Sequence, residues 1–337
     1  MSEQIIEIDC NNLSEKYSFN KVAKQASGAV LYQCGDAVLL ATVAIDLNPV
    51  TEDFLPLTVQ YIEKSYAAAK IPGGFIKRET KPGDFETLTS RIIDRSLRPL
   101  FPKGFHYPVV ITVMVLSSDE NVDMQVVGMN AASSALYTSD IPIRKLVSAV
   151  RIGKIDNKIV INPTFIEQDK STLDLLVVGS GLDILMIEMC VNASKKDNKQ
   201  LVNELDEDEL LEILEISKDA INRATKEYED GFRDVIKDKI DLVMSEELSD
   251  VDLYNYIESN YEDEVSSAIQ SMAKSERNSE LEAIEDKIYL DFEGRGEIKE
   301  RELISEMLSA YKKSVVRSLI LDKNISCLLY TSPSPRD

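Results

Sequence analysis

The chain has 337 residues, 44% of them hydrophobic, with 59 Asp and Glu against 38 Lys and Arg and a formal net charge of −21. That composition suits a globular protein of two domains, or one large and one small. No run approaches the ~18 apolar residues of a membrane span, the opening MSEQIIEIDCNN lacks a basic-then-apolar signal, and the expected location is the cytoplasm without membrane association.

Residues 1–62 read as antiparallel strands. Ala29–Tyr32 and Ala37–Ala44 flank Gln33-Cys34-Gly35-Asp36, a hairpin with glycine in its turn, and a third strand follows at Leu57–Tyr61. Pro72 to Lys103 then reads PGGFIKRETKPGDFETLTSRIIDRSLRPLFPK: a Gly- and Pro-punctuated loop followed from Asp84 by a helical pattern. Pro99 ends that helix at Arg98, because proline disfavours the α conformation in the residue before it. Val109–Leu116 is a short β-branched apolar run expected to form a buried strand. Asp123–Tyr137 reads as a helix whose small residues suit close packing on a sheet. Strands return at Leu146–Ile152, Lys158–Ile161, Asp174–Val178 and Asp183–Cys190, the last two meeting at Gly179-Ser180-Gly181.

Asp206–Tyr228 is strongly amphipathic, with Leu210, Leu211, Ile213, Leu214, Ala220, Ile221 and Ala224 on one arc. Beyond it the signal is helical throughout: Val251–Ile257, Tyr261–Ser275, Leu281–Leu290 and Ile298–Leu321, with a break at Gly294-Arg295-Gly296. The expected organisation is an α+β core over 1–215, a connecting helix or linker over 216–234, a small all-α domain over 235–322 and a poorly ordered tail over 323–337.

Charge is uneven along this plan. Residues 201–300 hold 31 acidic and 11 basic side chains, most simply a solubilising face, whereas Lys64 to Lys103 holds nine cations against four acids. A cationic island in an acidic protein points to an anionic ligand. Arg91, Arg95 and Arg98 are spaced i, i+4, i+7 on one helix face, opposite Ile93 and Leu97. Guanidinium forks suit phosphate oxygens; the competing reading is a solvated face salted with Glu86 and Asp94. Cys10, Cys34, Cys190 and Cys327 are widely separated, as isolated thiols are. His106 is the sole histidine, which leaves almost no room for a His-ligated metal or a His-based nucleophile system.

The run GGFIKRE followed by SRIIDRSLRPLFP resembles the first core of the bacterial polynucleotide phosphorylase (polyribonucleotide nucleotidyltransferase) family. The matching stretch there runs Gly-Gly/Ser-Phe-Phe-Arg/Lys-Arg-Glu, then Arg-Leu-Ile-Asp-Arg-Pro-Ile-Arg-Pro-Leu-Phe-Pro. The likeness extends upstream through Ala23–Val43 and Phe54–Tyr61 and downstream to Leu321. This chain departs from the pattern at Ile76, Thr80 and Ser96, none of which removes a charge.

The resemblance implies an RNase PH-type core of mixed sheets and helices followed by an all-helical domain, and a phosphate-dependent 3′→5′ exoribonuclease that releases nucleoside diphosphates in mRNA degradation. It implies inorganic phosphate as co-substrate, a magnesium ion, single-stranded RNA as partner, a homotrimeric ring and further partners in RNA degradation. The magnesium ligands are expected in a second core that this chain does not show. Where that core has Asp-x-Asp-Phe-Lys, the matching positions are Thr172, Asp174 and, for lysine, Leu176; the first core is therefore expected to hold no catalytic and no metal-binding residue, with Asp174 a turn or structural acid. By resemblance Phe75, Lys77, Arg78 and Lys81 would bind RNA at a channel mouth, and Arg91, Arg95 and Arg98 would contact phosphate, Arg95 and Arg98 above all. The alternative is a non-catalytic RNA-binding or ring-assembly module of RNase PH type.

Overall fold

The computed structural model describes residues 2–50, 54–73, 78–191, 194–196, 199–201, 205–244, 250–271, 274–295 and 299–321. The tail expected at 323–337 lies outside the described residues. The chain divides into two units, residues 1–245 and 246–337.

The first unit opens with β1 (Gln4–Cys10), β2 (Leu13–Phe19), β3 (Gly28–Cys34), β4 (Ala37–Ile45) and β5 (Leu57–Ile62), then α1 (Asp84–Leu97) and β6 (Val109–Ser117). These strands form one sheet in the order β1-β2-β3-β4-β6-β5. All pairs are antiparallel except one: β5 runs parallel to β6, Leu57 facing Val109 and Tyr61 facing Val113. The expectation of antiparallel strands throughout residues 1–62 therefore fails at β5. A parallel neighbour requires a crossover, and the basic loop with α1 is that crossover.

Strand burial follows the period of two. Val30 and Tyr32 of β3, Leu39, Ala41 and Val43 of β4, and Val109, Ile111, Val113 and Val115 of β6 point into the core. The apolar run at β6 is buried on one face only, since Val110 and Leu116 are exposed. Against the inner face lies α2 (Met124–Tyr137), buried on all sides from Val126 to Leu136. Its approach is close enough that a Cβ on Gly28 would sit 2.1 Å from the carbonyl oxygen of Ala135.

Next come β7 (Ser148–Ile155), β8 (Lys158–Ile161), the short α3 (Phe165–Gln168), β9 (Leu173–Ser180) and β10 (Asp183–Val191), then β11 (Ser194–Lys196) and β12 (Lys199–Leu201). The second sheet has the order β10-β9-β7-β8, and β11 pairs with β12. One face of the second sheet joins the main core through Ala149, Leu176, Val178 and Met186. The other, with Val150, Ile152, Leu175 and Val177, is covered by α4 (Glu207–Phe232) through Ile213, Ala220 and Ile221. Further along, Ala224, Tyr228 and Phe232 of the same helix pack into the main core, with Phe232 edge-on to Tyr17 at 4.8 Å. The expected boundary at residue 215 thus falls inside a helix whose apolar stripe belongs wholly to the first unit.

The second unit consists of α5 (Val251–Gln270), α6 (Lys274–Gly294) and α7 (Arg301–Leu321) around Leu253, Ile257, Val265, Ile288, Ile304, Leu308 and Tyr311. Two of the expected helical segments are one: Glu258, Ser259 and Asn260 are simply the exposed turn of α5.

Candidate nucleic-acid interface

The crossover is tied down by its own acids. At the end of β5 the Tyr61 N–H donates to Ser90 Oγ at 2.9 Å and the Glu63 N–H to Glu86 Oε1 at 2.8 Å. Glu86 also accepts from the Gly83 N–H at 2.7 Å, the N3 half of a capping box whose other half glycine cannot supply, and pairs with Lys64 at 2.9 Å. Burial pushes the Glu86 carboxyl up, but the two backbone donors and Lys64 outweigh it and hold its pKa below the usual range. Glu79, at φ 45°, accepts from the N–H and the hydroxyl of Ser65 at 2.9 and 2.7 Å, and these bonds likewise lower its pKa.

Asp94 is committed to Arg98, at 2.7 Å one turn along α1. The same guanidinium donates to the carbonyls of Leu55 at 2.9 Å and Leu57 at 3.3 Å. Arg98 also lines a cavity of about 220 Å³ with Phe54, Phe101, Lys103 and His106. Arg98 thereby clamps the start of β5 to the end of α1, and of the three arginines it is the one with an ion-pair partner among the described residues.

Three of the four acids in this stretch are therefore engaged within it. Arg78, Lys81, Arg91 and Arg95 are exposed, and among the described residues none has a carboxylate partner. The helix that carries Arg91 and Arg95 is held through Thr89, Ile92, Ile93, Ser96 and Leu97, all buried. Those two guanidinium groups thus project from a fixed scaffold. Phe75 and Lys77, the other expected RNA-binding residues, lie outside the described residues.

Two polar clusters escaped the sequence reading. Arg151 on β7 pairs with Asp123 at 2.9 Å and Asp174 at 3.3 Å, and donates to Gln125 at 2.7 Å. Asp123 is the N-cap of α2, accepting from the Gln125 and Val126 N–H groups. Asp174 lies on β9, so it is a structural acid and not a turn residue. Leu176, at the family's lysine position, is buried opposite Arg151 in the β7–β9 register. These residues do not fit a magnesium ion: Asp123 and Asp174 share a guanidinium, and no group of three metal-ligating side chains occurs among the described residues.

The second cluster centres on Glu15, 1% exposed, which accepts from Tyr32 Oη at 2.6 Å, Asn130 Nδ2 at 3.1 Å and Tyr228 Oη. Burial raises its pKa. Both clusters join residues far apart in sequence, and neither carries a local pattern.

The 3′ exoribonuclease family matches in its domain 1 at residues 15–142 and in its domain 2 at 145–220. A family described as polyribonucleotide nucleotidyltransferase, RNA binding domain, matches 252–326. Polyribonucleotide nucleotidyltransferases from Sulfurovum sp. and Aliarcobacter butzleri are 55% and 47% identical, each over 96% of this chain. The alignments cover 47% and 46% of those relatives, so the chain spans about half their length. A chain of the Archaeoglobus fulgidus exosome with RNA bound to the active site is similar at 16% identity and a TM-score of 0.48, over 68% of this chain and 88% of that one.

Proposed function

Because the chain belongs to the polyribonucleotide nucleotidyltransferase family, we propose that this part of it guides single-stranded RNA toward phosphorolytic chemistry performed elsewhere in the full-length protein. The observation that carries the reading is the division of charge in the β5–α1 crossover. Three of its four acids are spent, Glu79 and Glu86 on backbone amides, the Ser65 hydroxyl and Lys64, and Asp94 on Arg98, while Arg78, Lys81, Arg91 and Arg95 stay exposed. Such a strip neutralises phosphates without reading base edges, so binding is sequence-tolerant and weakens with salt. Phe75 and Lys77 are assigned to the same RNA contact solely by their match to the family's loop.

The reaction assigned to the full-length protein is attack of inorganic phosphate on the terminal 3′ phosphodiester, with release of a nucleoside diphosphate. A bound magnesium ion would stabilise the charge that develops on the transferred phosphoryl group. This chain's own residues position substrate and stop there: Asp174 is neutralised by Arg151, and the lysine position is the buried Leu176. We assign the full-length protein to a cytoplasmic homotrimer acting in mRNA degradation with further partners. The helical unit, matched by a family described as RNA binding, would add to the grip on RNA.

The test is a phosphorolysis assay on homopolymeric RNA with inorganic phosphate and magnesium. This chain is expected to bind the RNA and release no nucleoside diphosphate. Diphosphate release would overturn the non-catalytic assignment, and a failure to bind would overturn the guiding role.

A further inference from the structure

The outer strip of α1 is not purely cationic. Phe85 is 46% exposed and Leu88 is 48% exposed. Phe85, Leu88, Arg91 and Arg95 follow one another by steps of three, three and four residues, so each side chain neighbours the next along the helix surface. Helical side chains lean toward the N-terminus. The two guanidinium groups therefore reach back toward the apolar pair. At 1.5 Å per residue, Phe85 stands ~9 Å from Arg91 along the axis and Arg91 ~6 Å from Arg95.

Phe85 is also fixed. Its ring packs edge-on against Tyr61, with centroids 6.1 Å apart, and Tyr61 is 2% exposed. One edge of Phe85 is thus anchored on the core while nearly half of the side chain faces solvent. An exposed aromatic beside cations that lack carboxylate partners has the makings of a single-strand nucleic-acid platform, on which a base stacks while cations hold the backbone.

We propose that Phe85 is a base-stacking residue for single-stranded RNA, with Leu88 flanking the base and Arg91 and Arg95 holding the adjoining phosphates. The proposal rests on the RNA-guiding role given above and adds a contact on the helix itself, beyond the loop at Phe75. Charge complementarity selects the occupant: the strip is the cationic part of a chain with a net charge of −21, and a polyanion that also carries flat apolar rings matches both halves of it.

The chain contains no tryptophan, so Phe85→Trp places a unique fluorophore at the platform. The full 337-residue chain carrying F85W is titrated with a 20-nucleotide oligoadenylate, following tryptophan emission and the anisotropy of end-labelled RNA in parallel. The emission of the introduced indole is expected to quench with the same midpoint as the anisotropy curve. The companion Phe85→Ala variant is expected to lose roughly 5- to 100-fold in affinity while keeping the wild-type salt slope, because a stacked base releases no counterion.

Salt-dependent RNA binding that leaves the indole unquenched would overturn the stacking role and leave the guiding role standing. Absence of RNA binding in the wild-type chain would overturn the guiding role and, with it, the proposal. A blue shift of the indole emission that grows with protein concentration, without RNA, would mean that a second copy covers the strip, and this too would overturn the proposal.

Discussion

Arg98 and Asp94 face each other across one turn of α1 at 2.7 Å, and that pair separates two roles that the sequence spacing had merged. Arg95, on the preceding turn, has no carboxylate partner among the described residues. Arg95→Gln should leave the melting temperature unchanged and lower the salt slope of RNA binding. Arg98→Gln should do the reverse, costing about 1–2 kcal/mol of stability through the lost ion pair and two orphaned carbonyl acceptors. Thermal melts and salt titrations on the two variants check both halves.

Glu15 and Glu86 should pull stability in opposite directions with pH. Burial raises the Glu15 pKa, so the folded state holds its proton longer than the unfolded chain; stability falls as pH rises from the ordinary carboxylate range to the folded value. The Glu86 pKa is lowered, so its contribution is present above the unfolded value and is lost as pH falls through the folded one. Urea unfolding between about pH 2 and 8 should show Glu15→Gln flattening the decline above the ordinary carboxylate range, and Glu86→Gln removing the loss below it.

Arg151→Met should cost about 3 kcal/mol, because it strands Asp123, whose side chain is 6% exposed, beside a low-dielectric core. Asp174, at 39% exposure, is partly rescued by water. Chemical denaturation measures the loss. A change below about 0.5 kcal/mol would contradict the view that this guanidinium neutralises the pair.

Much of this architecture was legible in the residues because local signals agreed. The Gly35 hairpin and the amphipathic stripe of α4 each carried a pattern that tertiary packing had no reason to override; the expected stop at Pro99 is softer, since α1 ends at Leu97 but Arg98 keeps α dihedrals and leads into a 3-10 turn, Arg98–Leu100, that includes the proline. The direction of β5 was not legible, since a strand reads the same in either orientation and only its neighbour decides. The spacing of Arg91, Arg95 and Arg98 put all three on one helix side, but α1 ends at Leu97 and the spacing said nothing of Asp94 or of the Leu55 and Leu57 carbonyls, which are tertiary facts for Arg98. The Asp123–Arg151–Asp174 cluster and the Glu15 knot were invisible for the same reason.

Gly28 shows how strict the packing of α2 is. Gly28→Ala would push a methyl group to 2.1 Å from the Ala135 carbonyl oxygen, a contact that neither backbone can relieve without shifting. The expected loss is about 3 kcal/mol, read as a lower urea midpoint with an unchanged denaturant slope.

The central claim is that the exposed cations of the crossover hold RNA by its phosphates. Its most direct test is the dependence of RNA affinity on salt for the wild-type chain and for an Arg78→Gln, Arg91→Gln, Arg95→Gln triple variant with an unchanged melting temperature. Each lost phosphate contact should lower the magnitude of the log–log slope by roughly 0.7 for a single strand, so the triple variant should bind more weakly and lose about two units of slope. Equal affinity and equal slope in the two proteins would contradict the account.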